Sequence, residues 1–246
     1  MRAILIHGAW QGSWAWDRMP AAFAEAAIQA EAIDLPGNGT DSTASADVTL
    51  DLYVESVGRL IRTHGEPVHL IGHSGGGVIA SEVAERFRSD VRSVVYVAGI
   101  MLPDGGKFGD IVGQLVKEDP AAAGIRPHLV WSNDGTISTV PAAAARDIFY
   151  HDCTPADAHQ ASARLSPQPE GGRAISPRLT SKKFGTLPRL YVETRQDRSV
   201  VLAAQRRMQA LVPGAEIVRL DSGHAPQLSM PRKLADCIIP WLVSLT

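Results

Sequence analysis

Three observations predict an α/β architecture with a mostly parallel sheet of about six strands and helices on both faces. Short apolar runs rich in Val and Ile recur along the chain, and helix-like segments separate them. Several runs are continuously hydrophobic rather than alternating, as expected for strands covered on both faces. The length of 246 residues is one that a single domain commonly fills.

Taken in order, the first strand is expected at residues 2–7, on Ala3-Ile4-Leu5-Ile6, and runs into a polar, Gly-rich turn. A helix at 16–27 leads to a second strand at 31–34. A helix at 50–64 leads to a third strand at 68–72, and a helix at 76–87 to a fourth at 91–97. After a long interruption come a strand at 189–193, a helix at 200–211, a strand at 216–220 and a helix at 231–245. Strand–helix alternation of this kind calls for right-handed crossovers between parallel neighbours.

Residues 103–186 break the rhythm. They hold Ala-rich helical pieces at 142–150 and 155–163, and Asp134-Gly135 between extended residues, a hairpin signal. Pro167, Pro169, Gly171 and Gly172 form a loop. The segment is read as a cap inserted into a core made of 1–102 and 187–246, the whole remaining one structural domain.

Composition limits the partners. With 45% hydrophobic and 20% charged residues and a net charge of −2, there is no electrostatic footprint for nucleic acid. No stretch is long enough for a membrane span, and the run at 3–6 is too short for a signal-peptide core. A cytoplasmic protein acting on a small molecule is expected, with a homodimer allowed. Cys153 and Cys237 show no Cys-x-x-Cys spacing and are read as free thiols. No ligand cluster suggests a metal, and no cofactor is required.

The chemistry concentrates in four places. Gly72-His73-Ser74-Gly75-Gly76 sets G-x-S-x-G between a hydrophobic strand and a helix, the context in which the serine sits on a strained turn at the carboxyl end of a sheet. Gly72 and Gly76 are there because side chains would collide, and the helix N-terminus favours developing negative charge. His7-Gly8-Ala9-Trp10 ends the first strand, where a loop N–H is needed to stabilise an oxyanion. Ala9 and Gly75 are the candidate donors, whereas His7 is read as structural. His224, in the loop after the last strand, is the candidate base. Asp197, after the preceding strand, is the candidate acid, giving the order Ser…Asp…His.

These residues resemble a known group. His7-Gly-Ala-Trp-Gln-Gly-Ser-Trp14, Asp34-Leu-Pro-Gly-Asn-Gly39, Gly72-His-Ser-Gly-Gly76, Arg195-Gln-Asp197 and Ser222-Gly-His224 look like α/β-hydrolases. More narrowly, they resemble the branch of plant methylesterases, hydroxynitrile lyases and bacterial esterases. The resemblance is thin across 103–186. It implies the α/β-hydrolase fold and a serine esterase acting on carboxylic esters, with the cap setting the substrate, so that substrate identity does not carry over. An apolar, aromatic pocket would suit small, apolar or aromatic esters.

The lyases of this branch carry a threonine where this chain has Gly8 and a lysine where it has Ala225, so lyase chemistry is disfavoured. A lactonase, thioesterase or amidase on the same triad, and a receptor-like ligand binder, are the competing readings. Trp10, Trp14, Met101, Leu102 and Trp131, with Gly8, are the candidate substrate-pocket residues.

Overall fold

The computed structural model describes residues 1–245. Its strands are β1 (Arg2–Ile6), β2 (Gln29–Ile33), β3 (Val68–His73), β4 (Val91–Val97), β5 (Val130–Trp131), β6 (Ile137–Thr139), β7 (Gln168–Pro169), β8 (Arg189–Thr194) and β9 (Glu216–Leu220). Six of them form one sheet in the order β2-β1-β3-β4-β8-β9, and every pairing in it is parallel. The remaining three form a small antiparallel sheet, β5-β6-β7, within 103–186.

The continuous apolar runs are explained by what lies on each face. Along β1, Leu5 belongs to one core cluster and Ile4 and Ile6 to another, all fully buried. The same alternation puts Ile71, Val95 and Val192 on the first face, and Leu70, Val94 and Tyr191 on the second. Period-two geometry therefore divides a uniformly apolar strand between two helical layers. Truncating one such side chain, as in Ile71→Ala, is expected to cost about 2–5 kcal/mol.

The helices are α1 (Pro20–Glu25), α2 (Leu50–His64), α3 (Gly76–Arg86), α4 (Phe108–Leu115), α5 (Ala142–Ile148), α6 (Pro155–Ala163), α7 (Glu170–Arg173), α8 (Leu202–Leu211), α9 (Pro226–Ser229) and α10 (Pro231–Ser244). In α2, Thr49 caps the N-terminus by accepting from Leu52 N at 3.1 Å, and Gly65 ends the helix at φ +67°. Tyr53, Val54, Val57 and Ile61 make its buried stripe at helical spacing. No helix among the described residues is long and apolar enough to cross a membrane.

Local chemistry moved some boundaries. The helix expected at 16–27 is shorter, because Pro20 occupies its first turn and Ser13–Trp16 forms a separate 3₁₀ turn. The loop expected at 167–172 holds β7 and α7 instead, since Gln168 and Pro169 pair with Ser138 and Ile137. The Asp134-Gly135 signal does fall between paired strands, with Gly135 at φ +69°. Helix α4 has no counterpart in the expectations. Its signal was present as Phe108, Ile111, Val112 and Leu115, a three- and four-residue spacing.

Cys153 and Cys237 are both free and partly buried. Burial, and after it the carboxylates of Asp152 and Asp157, push the Cys153 thiol up to about 12.

Candidate active site

The strand order reverses direction between β1 and β3, which creates a crevice at the carboxyl ends of these neighbours. The turn carrying Ser74 follows β3, and the loop carrying Ala9 follows β1, so the two emerge side by side. The loops after β8 and β9 bring Asp197 and His224 to the same edge of the sheet.

Ser74 adopts φ +50°, a conformation that residues with a Cβ rarely take. Three backbone bonds hold it there. Ser74 N donates to Val97 O at 3.2 Å, and Ser74 O accepts from Ile100 N at 2.8 Å and Gly77 N at 3.0 Å. The flanking glycines are sterically required. A Cβ on Gly72 would lie 2.6 Å from Gly76 O, and one on Gly76 would lie 2.6 Å from both His7 O and Ile6 O. The local price of the turn, on the order of 1–3 kcal/mol for such a backbone, is met by these contacts.

His224 and Asp197 are both buried and joined by a hydrogen bond of 2.8 Å from Nδ1 to Oδ2. That bond places the proton of the neutral ring on Nδ1 and leaves Nε2 as the basic nitrogen. Asp197 is itself fixed by three more donors. Thr194 Oγ1 reaches Oδ2 at 3.0 Å, and the N–H groups of Ser199 and Val200 reach Oδ1 at 2.7 and 2.9 Å. A carboxylate aimed this way fixes both the tautomer and the orientation of the ring.

Two other buried histidines support the site. His7 accepts from Leu35 N at Nε2 (3.1 Å) and its Nδ1 donates to Gly8 O (2.8 Å), pinning the end of β1 to the end of β2. Burial lowers its pKa, so the neutral form that these bonds require is the one favoured. His73 donates from Nε2 to His224 O at 2.8 Å, tying the residue before Ser74 to the backbone of the candidate base. Its other nitrogen meets the Gln11 carboxamide at 3.0 Å. Burial, and next the neighbouring His224, hold the His73 pKa well below the usual value.

The two residues proposed as backbone donors for an oxyanion lie close together and line one cavity: a Cβ on Gly75 would sit 3.7 Å from Ala9 N. Gly8 is close-packed against the Ser74 turn, since a Cβ there would lie 2.9 Å from Ser74 Cβ. A threonine at this position has no room without displacing Ser74. Asp34 steadies the far side of the loop by accepting from Ser13 N and Thr40 N. Although burial opposes it, these bonds lower the Asp34 carboxyl to about 2.

Above Ser74 lies a cavity of about 320 Å³. Its walls combine Ala9, Trp10, Val78, Leu102 and Val200 with Phe108, Ile125 and Ile175. Of the pocket residues expected from sequence, Gly8, Trp10 and Leu102 line it. Trp14, Met101 and Trp131 do not. Trp14 is buried under the Arg164 guanidinium, 4.9 Å from its ring. Met101 packs into the core cluster that holds Leu70, Tyr96 and Tyr191, whereas Leu102 packs with Val78 and Ile111 and lines the cavity. Trp131 is 46% exposed on the hairpin, with Arg173 5.4 Å above its ring.

Sequence reasoning missed the polar wall formed by Asn38, Tyr53 and Gln168, and the apolar wall from α4. The first carries no local signature because its members are brought together from three distant segments. The second was legible in the spacing of α4.

A left-handed serine turn, a hydrogen-bonded Asp–His pair and the loop after β1 thus meet at the carboxyl edge of a parallel sheet. The model of the alpha/beta hydrolase family matches residues 3–237, and the chain belongs to that family.

Among curated relatives, an esterase of Oryza sativa subsp. japonica is 29% identical over 254 residues, covering 96% of this chain and 93% of that protein. A chloroplastic Arabidopsis thaliana protein, provisionally named methylesterase 13, is 25% identical across 97% of this chain. The chain spans only 55% of its length, about half. The solved pyrethroid hydrolase of Sphingobium faniae JZ-2 superposes with a TM-score of 0.88 at 24% identity, over 99% of this chain and 98% of that one.

Proposed function

We propose that the protein hydrolyses carboxylic esters of small, apolar or aromatic substrates through a Ser74–His224–Asp197 triad. The observation that carries this reading is the pairing of a left-handed Ser74 backbone with a buried His224 Nδ1–Asp197 bond at the same sheet edge. Esterase and methylesterase names among the relatives point the same way.

In the proposed mechanism His224 Nε2 takes the Ser74 hydroxyl proton as Oγ attacks the ester carbonyl. Ala9 and Gly75 N–H groups stabilise the oxyanion, and the imidazolium returns its proton to the departing alcohol. Water, activated by the same ring, then cleaves the acyl-enzyme and restores Ser74. Residues 103–186 act as the cap. They contribute the Phe108 and Ile125 wall of a cavity whose apolar lining suits an uncharged acyl group.

Cyanohydrin cleavage is the weaker reading, because Gly8 leaves no room for a threonine and Ala225 is fully buried where that chemistry uses a lysine. The test is turnover of p-nitrophenyl acetate by wild type and by Ser74→Ala. Wild-type turnover with loss of at least ~10³-fold in the variant is expected. Equal rates would reject Ser74 as the nucleophile.

A further inference from the structure

We infer that Gln168 is a positioning residue that holds the oxyanion-binding loop in its donating geometry. The inference rests on the hydrolase reading above and adds to it a task for the 103–186 segment beyond covering the substrate.

The starting point is Trp10. Its backbone sits at φ +62°, a left-handed conformation that persists in a non-glycine residue only when its surroundings over-determine it. Here those surroundings come from residues 138–168. Trp10 N donates to Gln168 Oε1 at 2.9 Å, and Trp10 O accepts from Ser166 N at 2.9 Å. The indole Nε1 donates to Ser138 Oγ at 3.2 Å. Both backbone polar groups and the side chain are thus gripped by one segment.

Gln168 is 2% exposed and uses its whole hydrogen-bonding capacity. Oε1 also accepts from Asn38 Nδ2 at 3.1 Å, while Nε2 donates to Tyr53 Oη and to Pro169 O, both at 3.1 Å. Tyr53 Oη closes the ring by donating to Asn38 Oδ1 at 2.9 Å. Burial raises the Tyr53 pKa to about 12, which keeps that donor protonated. Burying three polar side chains beside an apolar cavity is costly unless every group is satisfied. An apolar wall would avoid that cost. What it could not supply is an acceptor aimed at Trp10 N.

The consequence falls on Ala9. On one side, Gly8 N donates to Gln11 Oε1 at 3.3 Å; on the other, Trp10 N is held by Gln168. Between these anchors, Ala9 N–H has no protein acceptor among the described residues, and a Cβ on Gly75 would lie 3.7 Å from Ala9 N. The Ala9 N–H lies on the 8–9 peptide, whose Gly8 O accepts from His7 Nδ1 at 2.8 Å and from Gln11 N at 3.3 Å. Releasing the Trp10 anchor frees the adjoining 9–10 peptide, so the Ala9 Cα loses its fixed position on that side and the donor it carries is misplaced in the transition state.

The experiment compares wild type, Gln168→Met and Tyr53→Phe on p-nitrophenyl acetate. It also measures inhibition by a trifluoromethyl ketone, which Ser74 attacks to form an oxyanion, and by the matching methyl ketone, which binds without reacting. Gln168→Met is expected to lower kcat roughly 10- to 100-fold with KM changed less than about threefold. Trifluoromethyl ketone affinity should fall by the same factor and methyl ketone affinity should hold. Tyr53→Phe, a milder change that leaves the core packed, should show the same pattern at about three- to tenfold.

Unchanged kcat in both variants, or equal weakening of both ketones, would overturn the role of Gln168. An inactive wild type would instead reject the hydrolase reading, so the two failures are distinguishable.

Discussion

The six-stranded sheet and the 103–186 segment reach the same site by different physics. The sheet is held by apolar burial on both faces, and it delivers Ser74, Asp197 and His224 on loops at the carboxyl ends of β3, β8 and β9. The segment grips those loops through hydrogen bonds. His151 Nε2 donates to Gln196 O at 3.0 Å, beside the candidate acid. Asp152 Oδ2 accepts from Gly223 N at 2.7 Å, beside the candidate base, and from Ser229 Oγ at 2.9 Å. Arg198 Nη1 donates to Asp147 O at 3.0 Å, and the Phe149 ring lies 5.3 Å from the His224 ring. On the proposed mechanism, the sheet places the chemical groups and the segment fixes their aim. A variant in the sheet loops should therefore abolish activity, whereas one in the segment should attenuate it.

The largest effect that sharpens this contrast is expected from Asp197→Asn. It keeps the shape of the acid but favours the wrong tautomer of His224, with an expected loss in kcat of roughly 10⁴-fold. Steady-state turnover of an activated ester checks it, and a loss below tenfold would move the acid elsewhere. Next comes Gly8→Ala, whose Cβ would meet Ser74 Cβ at 2.9 Å. Displacing Ser74, the proposed nucleophile, by a few tenths of an ångström or more is expected to cost on the order of 100-fold in kcat, with a smaller change in KM.

Asp152→Ala tests the segment's side of the comparison. Freeing Gly223 N is expected to reduce kcat about tenfold, and Asp152→Asn, which retains an acceptor oxygen, should recover most of it. An Asp152→Ala enzyme as impaired as Asp197→Asn would erase the distinction between placing and aiming. Smallest of all, Trp131→Ala should change kcat/KM by less than about twofold, because that ring lies on the exposed hairpin and outside the cavity wall. A tenfold fall in kcat/KM would return Trp131 to the substrate site.

The same contrast explains what could be read from sequence. Strands β1, β3, β4 and β8 were legible because burial on two faces writes nearly continuous apolar runs, and α2 and α6 matched their expected bounds because Thr49 and Thr154 cap them. The surroundings of Ser74 were legible because a strained turn imposes glycines at fixed offsets. Gln168, Asn38 and Tyr53 were not, since a hydrogen-bonded ring across 130 positions leaves no periodicity. Nor could sequence divide Met101 from Leu102, adjacent loop residues that pack into different clusters, only the second of which reaches the cavity.

The central claim is that Ser74 is the activated nucleophile, and the most direct measurement is covalent labelling with diethyl p-nitrophenyl phosphate followed by peptide mass spectrometry. Ser74 Oγ displaces p-nitrophenolate at phosphorus, so one diethylphosphoryl group on the peptide bearing Ser74, with one equivalent of p-nitrophenolate released, is the expected result. Ser74→Ala should take up none. A catalytically active protein labelled at another residue, or labelled equally in Ser74→Ala, would contradict the account.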